Sequence, residues 1–279
     1  MKLNRISILL VFLAVVFFNV LLLGEIEAKV LQINCFSYET AFLNLRNHDV
    51  PTEIRKQFME AADADMEQYS ELLTMYFSTD CMVTDVETLR QDIAFVKKYR
   101  AADFKRIKKY VYAIWKDAVY FPVGGVKTDP DATVSFENSW MQSRTFGGDR
   151  GHEGCDIMAS QNERGIYPIY SITDGVVENI GWLRLGGWRI GIRSSNDAYF
   201  YYAHMAEYAK DFEVGDQIHA GDFLGFMGDT GYSDVPGTTG NFAVHLHMGI
   251  YLNDEEGNEF SVNSYPLLQY LWEEERVRR

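Results

Sequence analysis

The sequence predicts an α+β protein made of an N-terminal membrane helix, an α-helical middle region and a C-terminal all-β antiparallel domain of sandwich or barrel type. Three observations predict it. An apolar run from Ile6 to Leu23 is broken only by Asn19. From about Leu31 to Lys116 glycine is scarce and charged residues interleave with apolar ones, the pattern of packed helices. After Val119 nearly all the glycines appear, and short β-prone runs alternate with turn residues.

The first element, residues 1–28, has the length a helix needs to cross a bilayer. Lys2 and Arg5 precede the apolar run and Glu25 and Glu27 follow it, so the positive-inside rule keeps the N-terminus in the cytoplasm and exports the rest. A cleavable signal peptide is the alternative. Ile26-Glu27-Ala28 is a poor small-x-small cleavage pattern and the run is longer than a usual signal core, which favours an uncleaved anchor. Both readings place the body outside the cytoplasm, tethered in the first case and secreted in the second. At 279 residues and 47% hydrophobic the chain has ample material for a core. Its net charge of -14 argues against nucleic acid as a partner, because phosphates need a basic face. Cys35, Cys81 and Cys155 have no metal-like spacing and allow at most one disulfide.

The helical domain is expected over residues 29–118. Pro51 suits a first helical turn, and the pattern then runs without a breaker to Phe77. Thr84 with Glu87 reads as a capping box opening a helix through "LRQDIAFVKKY", and a further helix covers "DFKRIKKYVYAIWKD". The cations from Lys97 to Lys109 read first as a solvated helix face, with wall polymers or lipid head groups as the alternative partners. Tyr110, Tyr112 and Trp115 read as core, and His48 and His219 as structural or exposed.

Residues 119–145 are expected to link the helices to a β domain over 146–255, followed by a C-terminal tail, 256–279, that is a short amphipathic helix or a frayed end. The runs "IYPIYSI", "GVVENIGWL", "WRIGIRS", "AYFYYAHM", "QIHAGDFLGFM" and "VHLHMGIYL" are the candidate strands, and "SSND" is a hairpin turn.

The last of these runs carries chemistry. In a strand His245 and His247 point to one face while Leu246 and Met248 point to the other. The β region also holds His152, four residues before Asp156, and His204. Zinc takes imidazole nitrogen and carboxylate oxygen, and a catalytic site needs three protein ligands with a fourth position open. H-x-x-x-D with H-x-H supplies them and leaves a histidine to spare. A helical H-E-x-x-H site is excluded, since the fifth position is Asp156 and "GGDRGHEG" is too rich in glycine for a stable helix; Glu153 is a poor candidate base.

In this order the signatures resemble the lysostaphin-type, or LytM, zinc endopeptidases, which cut peptide bonds in bacterial peptidoglycan. "GHEGCDI", "YYAHM" and "VHLHMGI" resemble the family's H-x-x-x-D, Y-A-H and H-x-H, and "VGDQIHAGDFLGFMGDTG" is similar to its glycine-punctuated connection; together they span about Phe146 to Leu252. The resemblance implies one zinc ion per chain held by His152, Asp156 and His247, with His204 and His245 as the catalytic histidines. It also implies a LytM-type β fold and a peptidoglycan peptide as substrate, with the membrane reached through the N-terminal helix. His245 is assigned as base and His204 as stabiliser or proton donor, and Tyr202, two residues before His204, as a substrate-binding hydrogen-bond donor on the same face. The chain departs from the family at Met248 and Gly249, where an aromatic residue and a glutamate are usual, and at Cys155, which reads as a small buried side chain.

The alternative function is a catalytically silent or autoinhibited scaffold or hydrolase activator of the same fold. In the autoinhibited form, "SFENSWMQSRTFGG" fills the groove and the amide of Asn138 takes the open metal position. The loop "YSDVPGTTGNFA" is expected to wall the groove. Which peptide bond is cut is not legible here.

Overall fold

In the computed structural model, residues 5–34 and 36–278 are described. Lys2 and Cys35 lie outside them. Helix α1 (Arg5–Ile33) leaves its large apolar side chains from Ile6 to Val30 exposed and is long and apolar enough to cross a membrane. Five helices follow: α2 (Tyr38–Asn47), α3 (Thr52–Ala61), α4 (Met66–Ser78), α5 (Val86–Tyr99) and α6 (Ala101–Asp117). The β region comprises β1 (Val134–Phe136), β2 (Ser143–Arg144), β3 (Arg150–Gly151), β4 (Cys155–Ala159), β5 (Pro168–Tyr170), β6 (Gly175–Leu183), β7 (Gly187–Ser194), β8 (Tyr199–Tyr208), β9 (Gln217–Ile218), β10 (Phe223–Met227), β11 (His245–Asn253) and β12 (Glu259–Val262). Helix α7 (Tyr265–Arg278) ends the chain.

The helix expected to run unbroken to Phe77 is two helices. Asp63 and Ala64 adopt left-handed backbone (φ 50° and 57°), and the Asp65 carboxylate accepts from the amides of Glu67 and Gln68, satisfying the orphan donors of α4. The expected Thr84–Glu87 capping box is displaced by one residue for the same reason: Asp85 caps α5, accepting from the Thr88 amide. The basic run is an ion-paired surface, with Lys97 meeting Glu71, Lys108 meeting Glu67 and Arg106 meeting Glu255.

The main sheet is antiparallel, in the order β1-β4-β11-β8-β7-β6-β9, with β12 also on β11 and β10 joining β8 to β5. It is an open, sandwich-like sheet rather than a closed barrel. Strand β11 is central, and Leu246 and Met248 on its inner face are fully buried with Ile157 and Tyr202 from the flanking strands. Residues 119–145 do more than link: β1 extends the sheet along β4, and Val123 bridges to Ile169. The C-terminal segment is no frayed end either, because Leu267, Leu268 and Leu271 of α7 are buried.

His48 joins these parts. It ends α2 in a left-handed conformation, is fully buried, accepts from Trp115 Nε1 through Nε2 (2.8 Å) and lies 3.0 Å from the Asn263 carbonyl through Nδ1. A carbonyl only accepts and the indole only donates, so the neutral tautomer with hydrogen on Nδ1 is fixed. Burial pushes its pKa down to about 4, although the Asn263 carbonyl favours the charged ring. The folded pKa lies below the ordinary 6.5, so the unfolded chain binds more protons between those values, and stability is lost as pH falls through that window. We predict that urea unfolding of the protein in detergent shows about 3 kcal/mol less stability at pH 4 than at pH 7 from this group. His48→Gln, which keeps a donor and an acceptor but does not titrate, removes that share; an unchanged pH slope refutes the assignment.

Candidate active site

Asp156 on β4 and His247 on β11 are direct cross-strand partners, so their side chains leave the sheet on one face. His152 reaches the same point from the turn before β4, where the β2–β3 ribbon holds it: its amide donates to the Gln142 carbonyl and its carbonyl accepts from Met141. Three atoms converge there. His152 Nε2, His247 Nδ1 and Asp156 Oδ1 lie 2.9–3.0 Å from one another. Among the described residues this is the one group of three histidine, cysteine or acidic side chains placed to share an ion.

The surroundings fix what these atoms present. His152 Nδ1 lies 3.1 Å from the Ser139 carbonyl and 3.0 Å from its hydroxyl, so Nδ1 carries the hydrogen and Nε2 offers its lone pair to the centre. Burial alone would raise the Asp156 pKa, but the close His152 and His247 rings outweigh it and hold the carboxyl far below its ordinary range. Arg144 donates to Asp156 Oδ2 at 2.7 Å and leaves Oδ1 to the centre. Burial lowers the His247 pKa despite the neighbouring carboxylate, so its ring is neutral near pH 7. Electron pairs of His152 Nε2, His247 Nδ1 and Asp156 Oδ1 thus face each other at contact distance, an arrangement that a divalent cation relieves. The donor set of nitrogen and carboxylate oxygen fits zinc.

The other two histidines flank this centre. His245, two residues from His247 on the same face, has Nε2 3.8 Å from Asp156 Oδ1 and Nδ1 2.7 Å from the Ala243 carbonyl. His204 reaches the site by breaking the strand rule. Strand β8 pairs with β11 through Ala203 and with β10 from Met205 onward, and His204 at that switch adopts φ 63°. This left-handed residue turns the ring onto the site face, where it lies tilted with its centroid 4.7 Å from that of His245 and its Nδ1 lies 2.7 Å from the Thr230 carbonyl. Burial, then the neighbouring His245 and His247 rings, hold the His204 pKa well below its usual value, so this ring too is neutral.

The same irregularity corrects the sequence reading of Tyr202. Regular alternation carries Tyr202 and His204 to one face, but the bulge separates them. Tyr202 is fully buried on the core side, where its hydroxyl accepts from the Ile172 amide at 2.8 Å, and its neighbour Tyr201 lines the site. Asn138 is also elsewhere: its side-chain oxygen accepts from the Trp140 amide and from Asn263, outside the cavity that holds the histidines. Its segment supplies Ser139 and Arg144 to the metal-type centre instead. Cys155 is buried, with Sγ donating toward the Glu137 carbonyl and burial pushing its pKa well above the ordinary value, so it offers no thiolate.

A cavity of about 610 Å³ opens over this centre, lined by His152, Asp156, His204, His245 and His247 together with Tyr232 of the 232–243 loop, the wall expected from sequence. Tyr199, Tyr201 and Tyr251 form its aromatic floor, and the Tyr251 ring occupies the space over Gly249, where the family's usual glutamate would stand. Ser139, Thr230, Arg144, Arg150 and Arg189 were not singled out from sequence. Their signal is the fold itself, because only pairing across strands brings them to His152 and His247.

Such a constellation, with converging donors, two free imidazole nitrogens beside them and an open cavity above, is the equipment of a metal-dependent hydrolase. The sequence profile of peptidase family M23 matches residues 150–259. A crystal structure from Ruminococcus gnavus, assigned as a candidate glycyl-glycine endopeptidase lytM, is 38% identical, covers 82% of this chain and 90% of its own, and superposes with a TM-score of 0.68. The chain belongs to peptidase family M23. Its relatives include the L-Ala–D-Glu endopeptidase of Bacillus subtilis, 44% identical over 53% of this chain and 42% of that one. Lysostaphin of Staphylococcus simulans is 32% identical over 31% of this chain and 16% of its own. The chain thus spans less than half the length of these two relatives.

Gly154 gives the site a test. A Cβ there would lie 2.6 Å from His247 Cε1 and 2.8 Å from the Met248 carbonyl, so the ring must shift. Gly154→Ala is expected to weaken zinc affinity about tenfold in chelator competition; unchanged affinity would show that the ring is not held by this contact.

Proposed function

We propose that this protein is an exported zinc endopeptidase that hydrolyses peptide bonds of bacterial peptidoglycan near the membrane. The observation that carries the reading is the convergence of His152 Nε2, Asp156 Oδ1 and His247 Nδ1, flanked by His204 and His245. A silent scaffold of this fold has no use for five such residues kept within reach of one point. The 44% identity to an L-Ala–D-Glu endopeptidase favours the stem peptide over the cross-link as substrate.

His152, Asp156 and His247 would hold the ion, which when bound supplies Lewis acidity toward the peptide carbonyl and toward water. The chain's own groups handle the protons. His245 donates its Nδ1 hydrogen to the Ala243 carbonyl, so its Nε2 is a free base facing the reacting region. His204 has the same tautomer through Thr230 and is held neutral by burial. Hydrogen-bond donation from its Nε2 to a developing oxyanion therefore needs a proton taken up during turnover. Tyr232 and Phe242 pack against the His204 ring and exclude water from its outer edge. The α1 helix, with Arg5 before and Glu25 and Glu27 after its apolar run, supports a tethered, extracytoplasmic enzyme, with secretion after cleavage as the variant of the same reading.

Two substitutions separate binding from proton transfer. His247→Ala is expected to lose zinc and peptidoglycan hydrolysis together, whereas His245→Ala keeps stoichiometric zinc and loses turnover by at least about 10²-fold. Mass spectrometry of fragments released from purified peptidoglycan, beside zinc content by elemental analysis, checks both. Zinc retained in His247→Ala, or normal turnover in His245→Ala, overturns the corresponding role.

A further inference from the structure

The cavity has a second chemical feature that the hydrolytic centre does not use. Arg144, Arg150 and Arg189 all line it, in a chain of net charge -14. Most arginines elsewhere in the fold have a partner: Arg55 pairs with Glu273, Arg106 with Glu255, Arg164 with Asp229 and Arg193 with Glu178, while Arg46 and Arg90 donate to the Ser261 and Ala61 carbonyls. Arg144 pairs with Asp156. Arg150 and Arg189 break this pattern. Arg150 Nε and Arg189 Nη1 are buried without a hydrogen-bond partner, and no carboxylate of the described residues pairs with either side chain.

Their placement concentrates positive charge. Arg144 and Arg150 are direct cross-strand partners on the β2–β3 ribbon, so two guanidinium groups share a face, and Asp156 neutralises only one. Arg189 approaches from β7, on the face that carries Tyr201. The Tyr201 hydroxyl feels both Arg189 and Arg150, whereas the hydroxyl of Tyr251, across the floor, feels Glu153 and Glu259. The cavity is therefore divided, basic beside Tyr201 and acidic beside Tyr251. Both arginines are half-buried with one nitrogen each shut off from a partner, and a bidentate carboxylate is the group whose geometry a guanidinium matches.

We propose that Arg150 and Arg189 form a receptor for a free carboxylate of the substrate, so that the enzyme selects peptides bearing a carboxylate next to the scissile bond over neutral oligoglycine. This rests on the peptidase reading of the site given above. A glutamate joined through its side chain, as in a stem peptide, presents its α-carboxylate in that position. Arg150 stands two residues before His152, which puts the receptor beside the hydrolytic centre. Arg144 is spent on Asp156 and serves as a positioning residue.

The test is calorimetric binding of a matched pair of synthetic peptides, acyl-L-Ala-γ-D-Glu-L-Lys with the glutamate α-carboxylate free and the same peptide with that group as a carboxamide. The protein is the full chain in detergent, zinc-loaded and carrying His245→Ala so that no turnover accompanies binding. The acid peptide is expected to bind about tenfold or more tightly than the amide. Arg150→Gln with Arg189→Gln reduces that preference to about twofold or less while leaving amide binding in place, and Arg189→Lys, which keeps the charge, retains part of it. Equal affinity for acid and amide in the parent, or an acid preference that survives in the double variant, overturns the proposal. Hydrolysis of the same pair by protein with His245 intact separates the two ideas. If neither peptide is cut, the peptidase reading fails, and the binding comparison still decides the receptor.

Discussion

The cross-strand pairing of Asp156 with His247 is the constraint on which the site depends. It places a carboxylate oxygen and an imidazole nitrogen 3.0 Å apart on the outer face of the central strands, and everything around them serves to make that contact tolerable. Arg144 draws the second carboxylate oxygen away, and Ser139 fixes the tautomer of His152. Gly154 leaves room for the His247 ring. Beneath them, Leu246 and Met248 anchor the same strand in the core, so the histidines cannot drift without unpacking the sheet.

A second constraint is local and opposite in kind. His204 reaches its neighbours because β8 gives up regularity where it exchanges β11 for β10, storing a left-handed residue at the point of use. Gly231, at φ 126°, passes close beside it; a Cβ there would lie 3.2 Å from His204 Nδ1 and 2.5 Å from the Leu185 carbonyl. A non-glycine residue at positive φ costs on the order of 1–3 kcal/mol, which the surrounding sheet must offset. The bulge thus converts a strand that would present one histidine to the core into one that presents it to the cavity.

The helical region and α7 build a different kind of interface. Trp115, His48 and Asn263 form a hydrogen-bonded chain through the interior, and Tyr69 and Tyr270 stack around Trp115. Arg55, fully buried, reaches Glu273 of α7. These contacts tie the helices to the strand β12 that borders β11, so the segment that follows the β region is a structural clasp. Several cations along this surface meet carboxylates, Lys97 with Glu71 and Arg106 with Glu255 among them, in contrast to Arg150 and Arg189 in the cavity.

Elements that rest on local chemistry could be read along the chain. The apolar run of α1, the strands from "GVVENIGWL" to "VHLHMGIYL" and the shared face of His245 and His247 were legible because side-chain period is written in order along the chain, whereas His152, Asp156 and His204 were singled out by donor type and motif resemblance, since period alone sends His204 to the core. Helix breaks at Asp63–Asp65 and Asp85 were misread, since an Asp that caps a helix and an Asp that rides on one look alike until the backbone turns. Only the tertiary structure decided which tyrosine faces the cavity, because one left-handed residue resets the alternation that separates Tyr201 from Tyr202. It alone brought Ser139, Arg144, Arg150 and Arg189 to the site. Their roles depend on strands that pair across distances no sequence window spans, and on electrostatic partners that exist only once those strands have met.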